Sequence, residues 1–470
     1  MLPAIHTPEL ITKQLKFNTV GENRKVRVSS NFLNIMGFMP GQGLSIQPHE
    51  HMSGFSVKVA GGAEATHKVY QRKYRSGRSN NPLETVIEFA SQNLIDAAFP
   101  AYTENFSVEM RSGIVRFTPL RNKVFSIIQK FKKSNPWTAF VGLTGGVDVH
   151  VMEALGWKTE IVLEYRPKEA RDVSSGRDLS EVHALSALFN GSPRILINED
   201  IHHLEIDRLA HILSECPPIG LAHYSLGCDD HSTAKSNNAK AKSLIDMSTM
   251  IDMVYPALRQ IETMEPAVVV VENVRAFATS AAGVMMTTSL RRMGYHVTEG
   301  ILNGLNFDGY QGRKRYYLVA SVFPGFKHPT PMEPRKASLW PLIESYLGEC
   351  RDITDTKMVA DRLRSPQRTT PYLTVDSISC PTILKSQDRG IKDGVYIEHN
   401  GRIYQPSVNL LKALMSIPDE FNVDWMAKEQ ATETLGQSVD YKLHYAVLAA
   451  VKEHIAANCG VRTLLKHTLK

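Results

Sequence analysis

The sequence predicts an α/β protein, a mostly parallel sheet covered on both faces by helices, with an extra β-rich domain ahead of it over residues 1–125. Two observations lead there. From about residue 134, six short apolar runs (TAFVGL, EIVLEY, RILIN, IGLAHYSL, AVVVVENV and RYYLVASV) are separated by segments with helical spacing such as AKSLIDMSTMIDMVYPALRQIETM. Strands alternating with helices define βαβ units, and apolar runs without alternation are strands buried on both faces. Before residue 125 the texture differs: KVRVSSNFLNIMGFMPGQGLSIQ alternates apolar and polar residues and carries strong turn chemistry in GFMPGQG.

A chain of 470 residues has room for two or three domains. Its hydrophobic fraction of 43% excludes a disordered chain, and its net charge of +6 permits a polyanionic partner without requiring one. Five cysteines (Cys216, Cys228, Cys350, Cys380 and Cys459), with no C-x-x-C spacing, argue against a disulfide framework or zinc ribbon and for a reducing compartment. The N-terminus lacks a basic-then-apolar signal, and the longest apolar run, Tyr445 to Val451, is far too short to span a bilayer. A cytoplasmic protein without a membrane partner is expected. No internal repeat or low-complexity tract is evident.

In the N-terminal domain, a strand, a short helix ending in GF-x-x-G and another strand resemble the swapped-hairpin β-fold of bacterial antitoxins and transition-state regulators. The run HKVYQRKYRSGRSNN interleaves Lys68, Arg72, Lys73, Arg75 and Arg78 with Tyr70 and Tyr74, which suits a phosphate backbone and exposed bases. A charged, solvated hairpin is the alternative. His49, Glu50 and His51, with His67 further on, lack convincing ligand spacing, so no metal is expected.

Ligands of parallel sheets gather at the carboxyl ends of strands, where most chemistry-bearing segments fall. The first apolar run enters LTGGVDVH, whose Gly145 and Gly146 let backbone approach a nucleotide closely. The second ends in Glu164, where a ribose hydroxyl is commonly held, and the third ends near Asp200, where a carboxylate accepts from an adenine amino group. The fourth leads to Cys228, either a small buried hydrophobe or, beside a cofactor, a nucleophile. The fifth delivers Glu272, whose place after an apolar strand raises its pKa toward general-acid use; a solvated carboxylate is the alternative. Gln311, Arg313 and Arg315 alternate and so share one face as the sixth run begins, able to orient a carboxylate or polarise a carbonyl; a surface strand with ion pairs is the alternative.

Taken in order, the glycine turn, two acids, the cysteine, Glu272-Asn273-Val274 and QGRKR at 311–315 resemble the DNA (cytosine-5) methyltransferase family over about residues 135–455. PTIL at 381–384, RIYQPSVNLLKALMSIPDEF at 402–421 and ETLGQSVDYKLHYAVLAAV extend the resemblance. It implies an S-adenosylmethionine-dependent methyltransferase (Rossmann-like) fold: a catalytic core over 134–324, a short target-recognition region over 325–378, and a C-terminal part over 379–460 completing the catalytic domain. It further implies catalysis by Cys228, Glu272, Arg313 and Arg315. The cysteine adds to C6 of a flipped-out cytosine, the glutamate binds N3 and the exocyclic amine, and the two arginines hold the O2 side. S-adenosylmethionine is the implied cofactor, held by Gly142, Thr144, Gly145, Gly146, Glu164, Asp200, Ile201, Gln437, Ser438 and Val439. The implied partner is double-stranded DNA; a restriction nuclease partner is left open.

The chain departs from the family pattern around the cysteine and the methyl donor. Gly227, Cys228 and Asp229 stand where the family has P-C-Q, with Ser232 retained. Glycine loosens the loop, and Asp229 raises the thiol pKa, with His231 offsetting that charge if protonated. Thr144 replaces a glycine and Gln437 an asparagine. These changes keep two alternatives open: a related enzyme making a different C5-pyrimidine modification, or a catalytically inactive DNA-binding regulator. In the short recognition region, Arg362, Arg364 and Arg368 are the candidate DNA contacts, against a solvated basic face.

Overall fold

The computed structural model describes residues 6–73, 83–167, 172, 174, 176–231, 237–245, 248–364 and 370–460. The chain divides into two compact units, Met1–Ser126 and Ile127–Lys470.

The first unit is an internal duplication. Its first half contains β1 (Ile11–Lys16), β2 (Asn18–Val20), β3 (Asn23–Ser29), the short helix Phe32–Ile35, β4 (Gly43–Pro48) and β5 (Phe55–Ala60). The second repeats that order with β6 (His67–Lys68), β7 (Tyr70–Lys73), β8 (Leu83–Phe89), the helix Gln92–Ala98, β9 (Asn105–Arg111) and β10 (Ile114–Pro119). Equivalent strands pair antiparallel, β3 with β8 through Arg27↔Glu88 and β5 with β10 through Ser56↔Arg116. The first strand of each half crosses to the other, β1 onto β9 and β6 onto β4. The two sheets, β1-β9-β10-β5-β4-β6 and β2-β3-β8-β7, therefore have the same layout from either end.

This corrects the expectation of no repeat. The repeat is carried by Val26-x-Val28-x-Ser30-x-x-Leu33-x-x-x-x-Phe38 and Ile87-x-Phe89-x-Ser91-x-x-Leu94-x-x-x-x-Phe99. Serine, leucine and phenylalanine recur at matching positions, with apolar residues of different kinds at the other two, and Val26, Val28, Leu33, Phe38, Ile87, Phe89 and Phe99 meet in one core. Of the basic run, β7 is exposed along its whole length, with Tyr70 52% exposed; Tyr74, Arg75 and Arg78 lie outside the described residues. His49 pairs with Ser56 (2.8 Å) and His67 with Thr66 (3.1 Å). No metal-capable cluster forms there among the described residues.

The second unit is built on seven strands: β11 (Thr138–Gly142), β12 (Lys158–Leu163), β13 (Ile195–Ile197), β14 (Leu221–Ser225), β15 (Val268–Val274), β16 (His296–Asn303) and β17 (Lys314–Ser321). Their order is β13-β12-β11-β14-β15-β17-β16, with the first five parallel and β17 antiparallel to both its neighbours. Both faces are covered, since β11 is buried throughout and β15 through Asn273. The six apolar runs are six of these strands. The seventh, β16, was invisible because it lies at the sheet edge and buries only Leu302.

The segment read as one helical stretch is two helices, Asn237–Ile245 and Val254–Met264, with a break around Met250. The break is fixed by Asp230, which accepts from Met250 N–H (2.8 Å) and from the Thr249 hydroxyl (3.1 Å). A small antiparallel sheet, β18 (Arg351–Asp352), β20 (Arg402–Gln405) and β19 (Ile397–His399), packs around Ile353, Val359, Tyr396 and Ile403. It joins residues from both sides of the boundary expected at 378. Arg362 is corrected here: it is buried, donates to the carbonyls of Gly394 (3.2 Å) and Thr370, and lies over the rings of Tyr372 and Tyr396 (4.3 and 5.0 Å). A guanidinium held that way does not reach a phosphate. Arg364 is exposed and pairs with Asp361 at 3.8 Å, and Arg368 lies outside the described residues. Among the described residues no helix is long and apolar enough to cross a membrane.

Candidate active site

β14 runs into Leu226, Gly227 and Cys228, and β15 beside it supplies the support for that loop. Asn273 donates from Nδ2 to the Leu226 carbonyl at 2.9 Å, fixing the peptide two residues before the cysteine. Gly227 is closely packed: a Cβ there would lie 2.3 Å from Met250 Sδ, so the methionine would have to move. The glycine leaves room for the methionine that Asp230 positions, and Asp230 also accepts from the Ser243 hydroxyl at 3.1 Å.

Asp229 is answered from elsewhere in the chain. Lys385 Nζ lies 2.8 Å from its carboxylate. Burial pushes the Cys228 thiol up and Asp229 adds to the rise, while Arg315 pulls it back, Glu272 raises it further and Lys385 lowers it. His231 does not offset the aspartate. It is buried edge-on against Phe277 (5.0 Å), and burial lowers its pKa against the opposing pull of Asp230, which disfavours the charged form. Ser232 lies outside the described residues.

Glu272 and Arg315 form the charged centre beside this loop. Arg315 Nε sits 2.9 Å from Glu272 Oε1, and both side chains are nearly buried. Burial raises the Glu272 carboxyl to about 7 against the opposing pull of Arg315, with Asp148 adding to the rise. The carboxyl therefore exchanges its proton near neutrality, as expected from its strand position.

Arg313 has a different task from the one expected. It is fully buried and donates to the carbonyls of Ile383 (2.9 Å), Gly436 (2.9 Å) and Ser438 (2.5 Å). Burial, with Arg315 next, lowers its pKa to about 9. Its bonds go to backbone that completes the domain, so it is a positioning residue. Gln311 acts alongside, donating to Leu414 O (3.2 Å) and accepting from Ile383 N–H (3.3 Å). Together they seat PTIL, which carries Lys385 toward Asp229. The same segment passes the helix Lys428–Gln437 at Gly436, where a Cβ would lie 2.5 Å from Lys385 N.

The glycine turn after β11 faces the end of that late helix. A Cβ on Gly145 would stand 3.4 Å from Thr434 Cγ2 and 3.5 Å from Ser438 Oγ, and one on Gly142 would stand 2.8 Å from the Tyr224 ring. Thr144 is buried and its hydroxyl accepts from Gly146 N–H at 3.0 Å, so the threonine braces the turn from within. Gly146 has a left-handed φ of 98°, and Ser186 donates to the Gly145 carbonyl at 2.8 Å.

Glu164, at the end of β12, is buried with His183 Nδ1 at 3.5 Å, and its Oε2 has no hydrogen-bond partner among the described residues. Burial, chiefly, raises its pKa, with His183 opposing. Asp200 is half-buried and caps its own turn by accepting from His202 N–H at 2.9 Å, with Ile201 buried behind it. Ser438 and Val439 are buried and Gln437 is exposed. An orphaned acid oxygen at one strand end, a second acid at the next and a close glycine turn fit an adenosine-containing cofactor.

Two features had no sequence signal. Lys385 is 156 residues from Asp229. Arg166 pairs with Asp172 (2.7 Å) and Glu433 (3.0 Å), tying the end of β12 to the late helix beside a cavity of about 220 Å³ that His183 and Thr434 also line.

The strand order, five parallel strands followed by the antiparallel β17 inserted before β16, is that of a class I S-adenosylmethionine-dependent methyltransferase fold. The family model for C-5 cytosine-specific DNA methylases matches residues 191–400, just under half the length of the chain. Among solved structures the chain is similar to the Dnmt2 methyltransferase of S. pombe, at 15% identity over 68% of this chain and 98% of that one, with a TM-score of 0.49. It is also similar to the methyltransferase EhMeth of Entamoeba histolytica (12%, 68% and 98%, TM-score 0.48). A third is a Dnmt2 mutant of Spodoptera frugiperda (15%, 67% and 99%, TM-score 0.46). No curated protein matches the chain.

Proposed function

We propose that the chain is a DNA cytosine-C5 methyltransferase acting on a flipped-out cytosine in double-stranded DNA. The observation that carries this reading is the Glu272–Arg315 pair at 2.9 Å, electrostatically coupled to Cys228 at the ends of adjacent strands. Cys228, as thiolate, attacks C6 of the ring, while Glu272 holds N3 and the exocyclic amine and gives up its proton as negative charge builds. Arg315 steadies both the glutamate and the thiolate. Arg313 and Gln311 keep PTIL in place, and Lys385 on it neutralises Asp229 so that the thiol can ionise.

S-adenosylmethionine would be held by the Gly142–Gly146 turn, Glu164, Asp200, Ile201 and the Gln437–Val439 segment. Bound there, it would supply an electrophilic methyl group to C5; loss of the C5 proton then restores the C5–C6 double bond and releases Cys228 as thiolate. We extend the proposal to the duplicated N-terminal unit as a second DNA contact through Tyr70 and Lys73 on its exposed edge. Lys73→Ala should then weaken DNA binding and flatten its salt dependence.

The test is nucleoside mass spectrometry of DNA from cells expressing the protein, with Cys228→Ala alongside. Cysteine-dependent 5-methylcytosine is the expected result. A different cysteine-dependent cytosine product would favour the alternative modification, and no product with DNA binding intact would favour the regulator.

A further inference from the structure

Beneath this site three side chains from distant parts of the chain meet in the core. Asp148 comes from the helix Val147–Ala154 that follows the glycine turn, His223 from the middle of β14, and His444 from the helix Tyr441–Cys459. All three are buried, with both histidines 0% exposed, and their ligand atoms lie within 4.8 Å of one another. Three points so spaced have a centre no more than about 2.8 Å from each, against bonds of about 2.0–2.2 Å to a zinc ion. Shifts of under about 1 Å close the difference.

The hydrogen bonding leaves a gap of the same shape. Neither ring nitrogen of His223 has a partner among the described residues. His444 Nε2 and Asp148 Oδ1 approach to 3.2 Å, yet neither is in a hydrogen bond there. Leaving several polar atoms in a dry core unanswered costs about 1–3 kcal/mol each, so something is expected to answer them.

The outer contacts also suit a metal. Tyr317 Oη lies 3.1 Å from His444 Nδ1, which fixes that ring with Nε2 free to point inward, and the Ser225 hydroxyl reaches Asp148 Oδ2 at 3.5 Å.

We propose that Asp148, His223 and His444 form a structural binding site for a divalent transition metal, zinc by its two-imidazole, one-carboxylate donor set, with a water in the fourth position. The ion would staple the glycine-turn helix, the strand leading to Cys228 and the C-terminal helix to one another. The sequence gives no hint of it, because its ligands stand at 148, 223 and 444 with no motif spacing.

The test uses the full chain, incubated with one equivalent of ZnCl2, desalted, and assayed for metal by mass spectrometry. The expected result is about one zinc per chain, falling below about a tenth in His223→Ala and in Asp148→Asn. Asp148→Asn keeps the shape of the side chain and covers the case in which His223→Ala fails to fold. Chelation should lower Tm in the wild type and not in the folded variants. Wild-type protein that retains less than about a tenth of an equivalent overturns the proposal. So does a folded variant that retains wild-type content, since the zinc would then sit on surface histidines.

Discussion

Replacing Lys385 by methionine tests how this loop keeps a usable thiol beside an aspartate. In the wild type the ammonium lies 2.8 Å from Asp229, and the two side chains are 27% and 33% exposed. Methionine keeps the bulk and removes the charge. By Coulomb's law a unit charge at a separation on the order of 5–10 Å, with an effective dielectric of about 40, changes an ionisation free energy by about 0.8–1.7 kcal/mol, or roughly one pKa unit. Partial exposure reduces that by up to about half. Lys385→Met should therefore raise the Cys228 pKa by roughly 0.5–1 unit and slow alkylation at pH 7 by about 3–10-fold. Asp229→Asn should lower the pKa by more than Lys385→Met raises it, because the aspartate acts on the thiol more strongly than the lysine does, and the double variant should fall below wild type.

The assay is the pH dependence of iodoacetamide labelling, read at the Cys228 peptide by mass spectrometry so that the other four cysteines do not contribute. A Lys385→Met midpoint equal to wild type, or an Asp229→Asn midpoint that moves up, would refute the reasoning.

Gly227→Ala places a methyl 2.3 Å from Met250 Sδ and should cost about 1–3 kcal/mol in urea unfolding, with much of that recovered by adding Met250→Ala. Gly436→Ala meets backbone at 2.5 Å rather than a flexible side chain; it should destabilise at least as much and also raise the Cys228 pKa by displacing Lys385. Arg313→Met leaves three buried carbonyls without their donor and should lose about 3–5 kcal/mol of stability, measured by chemical denaturation. For Glu272, with a carboxyl raised to about 7, the protonated form is lost as pH climbs through that value. Methyl transfer should accordingly show an alkaline limb near pH 7 that is absent in whatever activity Glu272→Gln retains.

The sequence by itself determined the parallel core. β11 to β15 are apolar runs because a strand covered on both faces has no solvent side on which to place polar residues. It also placed Cys228 and Glu272 at strand ends and foresaw the raised carboxyl, since position after a buried strand is enough to predict desolvation. The edge strand β16 escaped because one residue of eight is buried, and the N-terminal duplication because only a few scattered positions, such as Ser30 and Ser91, Leu33 and Leu94, Phe38 and Phe99, are the same in its two halves.

Only the tertiary structure decided what the arginines and the unusual loop residues do. Arg313 and Arg315 are two apart on one face, yet one ends among carbonyls and the other on a carboxylate, a difference set by what packs opposite. The same holds for Arg362 between two tyrosines, for Gly227 against Met250 and for Asp229 against Lys385. Local periodicity says which way a side chain points. Its partner comes from another part of the chain, and only folding brings the two together.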